Sequence, residues 1–214
     1  MSTPNYTLYY SPGSASLVVH WILIELGVPH TLELVDTAAG AQKQPDYLAL
    51  NPNGVVPTLM IDGKPHYEAA ALLMHLADAF PTTALAPALA DPQRVDYTQW
   101  MFNLANMVQP LFRQWWYPHE PAGETNADTV RHFVQPRIEA QWQRIDAHLA
   151  AHGPHLLGER LTAADFYLVM LMRWSRNMPK QAIEWRHLAA LAARLKARPS
   201  FATLYGREGL TEWA

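Results

Sequence analysis

The chain has 214 residues, of which half are hydrophobic and 16% are charged, so it can bury a sizeable core and is not disordered. Its formal net charge of −3 gives no electrostatic reason to expect binding to nucleic acid or to an anionic membrane. It contains no cysteine, which excludes a disulfide framework, a zinc–thiolate site and a catalytic thiol of its own.

Targeting and membrane signals are not found in the sequence. Residues 1–5 are polar and are not followed by the apolar run of a signal peptide. No apolar segment approaches the ~20 residues that a membrane-spanning helix needs. We therefore expect a soluble, cytoplasmic protein with neither membrane nor nucleic acid as a partner.

The first 80 residues alternate strand and helix patterns. A β-prone run at 6–10 ends in Ser11-Pro12-Gly13, and apolar residues then recur at helical spacing until Gly27 and Pro29 stop the helix. Later strands are predicted at 31–35, 55–61 and 64–67, and a helix at 68–79. An Asp62-Gly63 turn joins the last two strands as a hairpin. This β-α-β then β-β-α order predicts a compact sheet-and-helix domain.

The remainder of the chain lacks strand patterns. Residues 81–91 are rich in proline and small residues and are predicted to be a linker. Amphipathic helices are predicted at 94–116, 128–152, 162–174 and 187–197, with a short one from 201. Pro110 and Pro136 fall inside the first two and should kink them or shift their boundaries. Residues 92–214 are therefore predicted to form an all-α domain.

The most informative stretch is "NPNGVVPTLMIDG", which leads into the third strand. A proline at the head of a strand cannot donate to a sheet ladder, so Pro57 belongs at an edge or a bend. If the Val56–Pro57 bond is cis, Val56 presents its backbone N–H and C=O to a ligand, and an extended peptide can pair with it. The alternative is an ordinary loop-to-strand proline.

The helix after the hairpin begins at Glu68-Ala69. Free backbone N–H groups and the helix dipole make such a start a natural carboxylate site. The alternative is that Glu68 only stabilises the first turn as an acidic residue.

Two further patterns are interpreted as structural. Thr162 with Asp165 three residues on is a variant capping box, and Leu161 and Phe166 are placed to form its hydrophobic staple. The His148/His152 pair is interpreted as exposed residues of a helix face, because no third ligand is evident nearby. We expect no metal site.

Taken together, these motifs resemble the glutathione transferase family. The resemblance rests on the Val-Pro before the third strand, the acidic residue that opens the next helix, the Pro-rich linker and the T-x-x-D capping box. It implies an α/β thioredoxin-like N-terminal domain at 1–80 followed by an all-α C-terminal domain at 92–214. "LYYSPGSAS" is most similar to the beta-class bacterial and delta-class insect members.

The resemblance also implies glutathione as the co-substrate. Its cysteinyl backbone is expected to pair with Val56, which precedes Pro57, and its γ-glutamyl carboxylate to bind at Glu68-Ala69. Many members have a serine at the position of Ala69, so the hydrogen bond of that hydroxyl, about 1 kcal/mol, is missing here. The backbone N–H of Ala69 remains.

Thiolate stabilisation is expected from the serines that follow the first strand. Beta-class members often have cysteine where this chain has Ala15, whereas delta-class members place a catalytic serine directly after the Pro-Gly pair, where Ser14 stands. Ser14 is the first candidate, Ser16 the second and Ser11 the third. A plain helix cap is the alternative for Ser14 and Ser16.

A pocket for a small hydrophobic electrophile is expected between the domains. Five residues of the helix at 94–116 are spaced to share one face: Phe102, Asn106, Gln109, Arg113 and Trp116. Related beta-class proteins often have a basic pair where this chain has Gln109 and Pro110. Burial of the aromatic residues in the core is the alternative.

Two functional hypotheses remain open from sequence. The first is an enzyme that activates the glutathione thiol for attack on a small apolar electrophile. The second is a non-catalytic member of the family that serves as a ligand-binding or protein-interaction module, which Ala15, Ala69 and the missing basic pair favour. The resemblance implies a homodimer in either case.

Overall fold

The computed structural model describes residues 4–213, and its packing divides the chain into two compact units. The first unit contains the chain up to Thr83 together with Arg198–Glu212, and the second contains Ala84–Ala197. The final helix therefore packs in the first unit, a return of the chain that sequence periodicity does not reveal.

A four-stranded mixed sheet forms the centre of the first unit. Its strands are β1 (Tyr6–Tyr10), β2 (His30–Leu34), β3 (Thr58–Ile61) and β4 (Lys64–Tyr67). They lie in the order β2-β1-β3-β4, with β1 parallel to β2 and β3 antiparallel to both of its neighbours. Asp62 and Gly63 both have positive φ, as the predicted tight hairpin turn requires.

Four helices accompany this sheet: α1 (Ser16–Glu25), α2 (Pro45–Leu48), α3 (Ala69–Ala79) and α10 (Pro199–Glu208). Helix α1 packs against both α3 and α10. The indole N–H of Trp21 on α1 donates to Ser200 Oγ at 3.0 Å, and its ring lies 5.3 Å from that of Phe201. Burial of these aromatic rings fixes α10 on α1.

The second unit is helical. It contains α4 (Arg94–Asn103), α5 (Gln109–Trp116), α6 (His119–Ala122), α7 (Ala127–His152), α8 (Ala163–Arg173) and α9 (Arg186–Lys196). Every residue of α8 is buried, which makes it the central helix of the unit. No helix within residues 4–213 combines the length and the apolarity that crossing a membrane would require.

The two helix prolines have different effects. A π-helical turn, Leu104–Val108, joins α4 to α5 directly before Pro110. Proline has no N–H for the carbonyl one turn earlier, and a wide turn accommodates that lost bond without ending the helix. Pro136, in contrast, lies inside α7, which continues through it as a single element. The predicted boundary shift therefore occurs at Pro110 only.

The predicted capping box starts α8. The N–H of Thr162 donates to Asp165 Oδ2 at 2.8 Å, and the N–H of Leu156 donates to Asp165 Oδ1 at 2.9 Å. The carboxyl is fully buried, and this burial raises the pKa of Asp165 to about 6.

Candidate functional site

Three segments that sequence analysis singled out meet at one edge of the sheet. Tyr9 of β1 is paired with Thr58 of β3, and Thr58 is paired with Tyr67 of β4. The serine turn follows β1, the Val-Pro segment precedes β3, and Glu68 follows β4. Because β3 runs antiparallel to both neighbours, these three segments lie at the same edge.

The serine turn is held by its own hydroxyl groups. Ser16 is fully buried, and its Oγ accepts the N–H of Ser11 at 3.1 Å. Ser14 is only partly buried, with its Oγ 2.8 Å from Ser16 Oγ and accepting the N–H of Ser16 at 3.3 Å. Ser14 therefore accepts the first N–H of α1 and has the more accessible of the two hydroxyls.

The protons of this pair can be arranged so that Ser14 donates to a ligand. The carbonyl of Ser11 accepts the N–H of Ser14 at 3.2 Å as well as the hydroxyl of Ser16 at 3.1 Å. The Ser11 carbonyl therefore still accepts a hydrogen bond from the N–H of Ser14 when the Ser16 hydroxyl turns to Ser14 Oγ. Ser14 then accepts from Ser16 and has its own proton free to donate outward.

Ser11, the third serine, has a different role in the structure. Its side chain is nearly buried and its Oγ lies 3.0 Å from Thr37 Oγ1. This hydroxyl pair joins the end of β1 to the loop that follows β2. Within residues 4–213, the Ser11 hydroxyl forms no hydrogen bond with the hydroxyl of Ser14 or that of Ser16.

A carboxylate that sequence analysis missed fastens the same turn. Glu208 of α10 accepts the N–H of Gly13 at 2.9 Å through Oε2 and pairs with His20 Nδ1 at 2.8 Å through Oε1. The side chains of Glu208 and His20 are fully buried. Hydrogen bonds to a charged acceptor in such surroundings are strong, so Glu208 fixes the residue next to Ser14. No local pattern indicates it, because Glu208 and Gly13 are 195 residues apart.

The segment before β3 contains a residue, Val56, whose backbone N–H and C=O are available to a ligand. The Val56–Pro57 peptide bond is cis. Within residues 4–213, neither the N–H nor the C=O of Val56 forms a hydrogen bond. An extended ligand backbone can pair with these groups as an added strand does.

Two buried side chains brace this segment from behind. The hydroxyl of Tyr47 donates to the carbonyl of Val55 at 2.9 Å, and Asn51 Nδ2 donates to the same carbonyl at 2.8 Å. Burial raises the pKa of the Tyr47 hydroxyl, so the proton that this bond needs is retained. The "NPNG" stretch carries the signal for Asn51, whose side chain also accepts the N–H of Asn53 at 3.1 Å.

The start of α3 is uncapped, and the residue directly before the helix, Glu68, is strained. Glu68 has φ 73° and ψ 103°, a conformation that non-glycine residues rarely adopt, and its side chain is exposed. Within residues 4–213, no side chain caps the helix and the N–H groups of Ala69, Ala70 and Ala71 have no partner. Free N–H groups beside the positive end of the helix dipole suit a carboxylate ligand. Backbone strain of this kind is often found at ligand sites.

Of the predicted electrophile residues of the second unit, Phe102 precedes the π turn, Asn106 lies within it and the other three follow it. A π turn adds one residue, so it rotates the following helix by roughly 100° relative to an unbroken pattern. Phe102 and Asn106 are exposed, and Gln109 accepts the hydroxyl of Tyr167. The single face that the spacing predicts is therefore interrupted between Asn106 and Gln109.

Arg113 and Trp116 are engaged within their own unit. The guanidinium of Arg113 forms a bidentate ion pair with Glu120 and stacks on Tyr117 at 4.0 Å. The indole N–H of Trp116 donates to the carbonyl of Trp174 at 3.1 Å. The charge of Arg113 is thus already compensated.

The structure gives no sign of a metal site in the part of the chain that it describes. Residues 4–213 contain no group of three His, Cys, Asp or Glu side chains placed to hold an ion. His148 Nε2 lies 2.9 Å from the carbonyl of Leu156, so this nitrogen carries the proton of the bond. The ring of His152 is 5.0 Å away.

Comparisons with known proteins show the family to which the chain is similar. Residues 14–79 match the family description "Glutathione S-transferase, N-terminal domain", and residues 105–204 match "Glutathione S-transferase, C-terminal domain". Glutathione S-transferase GstA of Escherichia coli O157:H7 is 30% identical over 95% of this chain and 98% of its own. Glutathione S-transferase GST-4.5 of Xanthomonas campestris pv. campestris is 33% identical over 87% of this chain and 89% of its own.

Solved structures include close matches to the fold. A glutathione transferase homologue from Sulfitobacter with bound glutathione has a TM-score of 0.87 and 27% identity, and the match covers 96% of this chain and 99% of that one. A thioredoxin-like sheet followed by a helical unit defines the glutathione transferase fold, as the sequence predicts. The chain belongs to the glutathione transferase family.

Proposed function

We propose that this protein binds glutathione at the sheet edge and that Ser14 donates a hydrogen bond to the glutathione thiolate. The observation that carries the proposal is the meeting of three features at one edge: the more accessible hydroxyl of the serine pair, that of Ser14, the backbone of Val56, unpaired within residues 4–213, and the uncapped start of α3. Together they offer a hydroxyl, a strand-like pair and an anion site, which suit a thiol tripeptide with carboxylate ends.

The cysteinyl and γ-glutamyl parts of glutathione each have a proposed partner. The cysteinyl backbone pairs with the N–H and C=O of Val56, beside Pro57. The γ-glutamyl carboxylate binds the free N–H groups from Ala69 onward, and the ammonium group beside it pairs with the exposed carboxylate of Glu68. The absence of a hydroxyl at Ala69 is expected to weaken this binding by about 1 kcal/mol without abolishing it.

The reaction is the conjugation of the thiol to a small apolar electrophile. The thiol first loses its proton to solvent, and the Ser14 hydroxyl and the positive end of α1 stabilise the thiolate. The sulfur then attacks the electrophilic carbon and forms a C–S bond. With an activated aryl halide, the halide leaves with the electron pair of its bond to carbon.

The choice of an apolar electrophile rests on the second unit. Phe102 is 57% exposed and supplies apolar surface, whereas Arg113 is already neutralised by Glu120. An acidic substrate group would have to compete with Glu120 for this guanidinium. We propose that Phe102, Asn106, Gln109 and Trp116 contact the electrophile.

A homodimer in the cytoplasm completes the proposal. Family resemblance supports the dimer, and large apolar side chains such as Leu89, 83% exposed, and Phe133, 66% exposed, are available to an interface. The reducing cytoplasm supplies glutathione as a thiol. Light scattering coupled to size exclusion tests the dimer directly.

The function is tested by calorimetric titration with glutathione, together with turnover of an activated nitroaryl halide. We expect micromolar to millimolar binding that Glu68→Gln weakens about tenfold, because a charge-assisted hydrogen bond is lost. Glu33→Gln, an exposed carboxylate on β2, is the matched control and should not change the affinity. Absence of binding at millimolar glutathione would overturn the proposal. Binding without turnover would overturn only its catalytic part.

A further inference from the structure

The turn that precedes Val56 contains an asparagine whose side chain is free to react with its own backbone. Asn53 is exposed, and its side-chain amide forms no hydrogen bond in the part of the chain that the structure describes. Gly54 follows it, so no side chain shields the backbone nitrogen that the amide of Asn53 can reach. Asn53 is the only asparagine of the chain that precedes a glycine.

The fold requires the glycine of this pair. Gly54 has φ +58°, a conformation that other residues rarely adopt. A Cβ at this position would lie 2.9 Å from Lys43 Nζ and 3.0 Å from the carbonyl oxygen of Gln42. A side chain at position 54 would therefore displace the surrounding loop, whereas the side chain at position 53 is unconstrained.

An ammonium group lies beside the peptide bond between the two residues. Lys43 Nζ is 3.5 Å from the carbonyl oxygen of Asn53. Among the described residues, no carboxylate pairs with this ammonium group. When the Gly54 nitrogen loses its proton, the negative charge is shared between that nitrogen and the Asn53 oxygen. Lys43 is therefore placed to stabilise the anion from which ring closure starts.

One native hydrogen bond opposes this reaction. The N–H of Gly54 donates to the carbonyl of Asn51 at 2.9 Å. This bond must open before the nitrogen can attack, so the folded chain should react more slowly than the unfolded chain. Pro52, Asn53 and Val55 are all exposed, so a local opening of the turn displaces little of the core.

We propose that Asn53 is a site of spontaneous modification, at which its side-chain amide is converted to aspartate or isoaspartate. The Gly54 nitrogen loses its proton to solvent and attacks Cγ of Asn53. The C–N bond of the side-chain amide breaks, and the NH₂ group leaves as ammonia after taking a proton from solvent. Water then opens the cyclic imide, and the Gly54 nitrogen regains a proton. Attack of water on Cγ gives aspartate, whereas attack on the main-chain carbonyl carbon gives isoaspartate, which has an extra CH₂ in the backbone.

The extra CH₂ falls within a turn that Asn51 holds together. The carbonyl of Asn51 accepts the N–H of Gly54, and its Oδ1 accepts the N–H of Asn53 at 3.1 Å. Its Nδ2 donates to the carbonyl of Val55 at 2.8 Å. A lengthened backbone cannot keep all of these bonds, so isoaspartate displaces Val55 and with it Val56. The resulting loss of glutathione affinity rests on the proposed function, whereas the modification itself does not.

The modification is tested by incubating the full chain at mildly alkaline pH and mapping its peptides by mass spectrometry. Conversion at Asn53 adds about 1 Da, whereas isomerisation of Asp62, which also precedes a glycine, adds none. Asn106, exposed and followed by methionine, is the internal comparison. A parallel incubation in guanidinium chloride shows when an unfolded Asn-Gly pair has reacted.

We expect the folded chain to convert Asn53 and to leave Asn106 intact. If the folded chain converts Asn53 no faster than Asn106, although the unfolded chain has reacted at Asn53, the proposal is overturned.

A matched pair of lysine variants tests the contribution of the ammonium group. Lys43→Gln should slow the conversion of Asn53 in the folded chain about two- to fivefold, the effect of an exposed charge contact. It should not change the rate in the unfolded chain, where the contact is absent. Lys64→Gln, which removes an exposed lysine of β4, should change neither rate. Equal rates in the two folded variants would contradict the role of Lys43.

Two substitutions at position 53 connect the modification to binding. The converted fraction carries an additional negative charge, so ion exchange separates it. Calorimetry should show about tenfold weaker glutathione binding, because the backbone pair of Val56 is displaced. Asn53→Asp, which has the charge without the extra CH₂, should bind more tightly than this fraction. Asn53→Gln closes the larger ring far more slowly, so it should keep its affinity after the same incubation.

Unchanged affinity in the converted fraction would contradict the displacement of Val56. Failure of freshly prepared protein to bind glutathione would count against the proposed function and would leave the mass-spectrometric result as it stands.

Discussion

Replacing Ser14 by alanine tests the central chemical step. The substitution removes the hydroxyl of Ser14, which is the more accessible of the serine pair. It leaves the buried Ser16 in place. A hydrogen bond to a charged acceptor contributes about 1.5–3 kcal/mol, and one pKa unit corresponds to about 1.36 kcal/mol. The pKa of enzyme-bound glutathione should therefore rise by about 1–2 units in Ser14→Ala.

The rate should follow the thiolate fraction. At neutral pH we expect kcat/KM to fall about 10- to 100-fold, since each pKa unit above the working pH reduces the thiolate about tenfold. The loss should shrink as the pH is raised toward the ordinary thiol pKa of about 8.5. Affinity for glutathione should change little, because the backbone of Val56 and the start of α3 are untouched.

Two assays measure this prediction. Ultraviolet absorbance of the bound thiolate gives its pKa, and the pH profile of kcat/KM gives the same quantity kinetically. Ser11→Ala is the matched control, because it removes from the same turn a hydroxyl that pairs with Thr37. It should leave the thiol pKa unchanged.

Ser16→Ala should behave differently from Ser14→Ala. It leaves the N–H of Ser11 without its acceptor, so the free energy of unfolding should fall by about 1–3 kcal/mol. An unchanged thiol pKa in a Ser14→Ala protein that still binds glutathione would refute the reasoning. A shift that occurs only in Ser16→Ala would do the same.

Three other carboxyl groups give further predictions, each measured by urea unfolding. Glu208→Gln should lower the free energy of unfolding by about 2 kcal/mol and reduce kcat/KM, because the N–H of Gly13 loses a charged acceptor; unchanged stability would contradict this. Glu68→Gly should raise the free energy of unfolding by about 1 kcal/mol, because glycine tolerates the positive φ at this position. The same substitution should weaken glutathione binding. A loss of stability would show that the backbone is not strained. Asp165 should make the protein less stable as the pH rises, because its native pKa of about 6 exceeds the unfolded value of about 3.9. Between these values the native state holds a proton that the unfolded state has released, so the stability difference between wild type and Asp165→Asn should fall by about 2 kcal/mol from pH ~4 to pH ~6. A difference that is flat or rises with pH would refute the raised pKa.

Much of the fold is predicted from local sequence because short-range constraints determine it. The Asp62-Gly63 turn requires two residues that tolerate positive φ, and its hairpin follows. The capping box at Thr162 is complete within four residues, so its geometry is visible in the sequence. Strand and helix periodicity likewise depends only on neighbouring positions.

The candidate site is predicted in part for the same reason. The Val-Pro pair before β3 and the acidic residue before α3 are local signals, and the structure places both at one sheet edge with the serine turn. The ranking of Ser14 above Ser16 came from family resemblance. In the structure Ser14 is less buried than Ser16, which gives this ranking a physical basis that the sequence does not contain.

Other features depend on tertiary structure. The π turn before Pro110 changes which residues of α4 and α5 share a face, and no spacing rule indicates where an extra residue is inserted. Arg113 is engaged because α6 places Glu120 beside it, which periodicity along one helix does not reveal.

By itself, then, the sequence determined the order of the strands and of the long helical segments, the family and the segments that form the sheet edge. Tertiary structure alone decided which hydroxyl stays accessible, and which carboxylate from α10, that of Glu208, fixes the turn at Gly13. The physical reason is the distance along the chain over which each interaction acts. Turns, caps and periodicity are set by backbone sterics within a few residues, whereas burial and charge pairing depend on which distant segments the folded chain brings together.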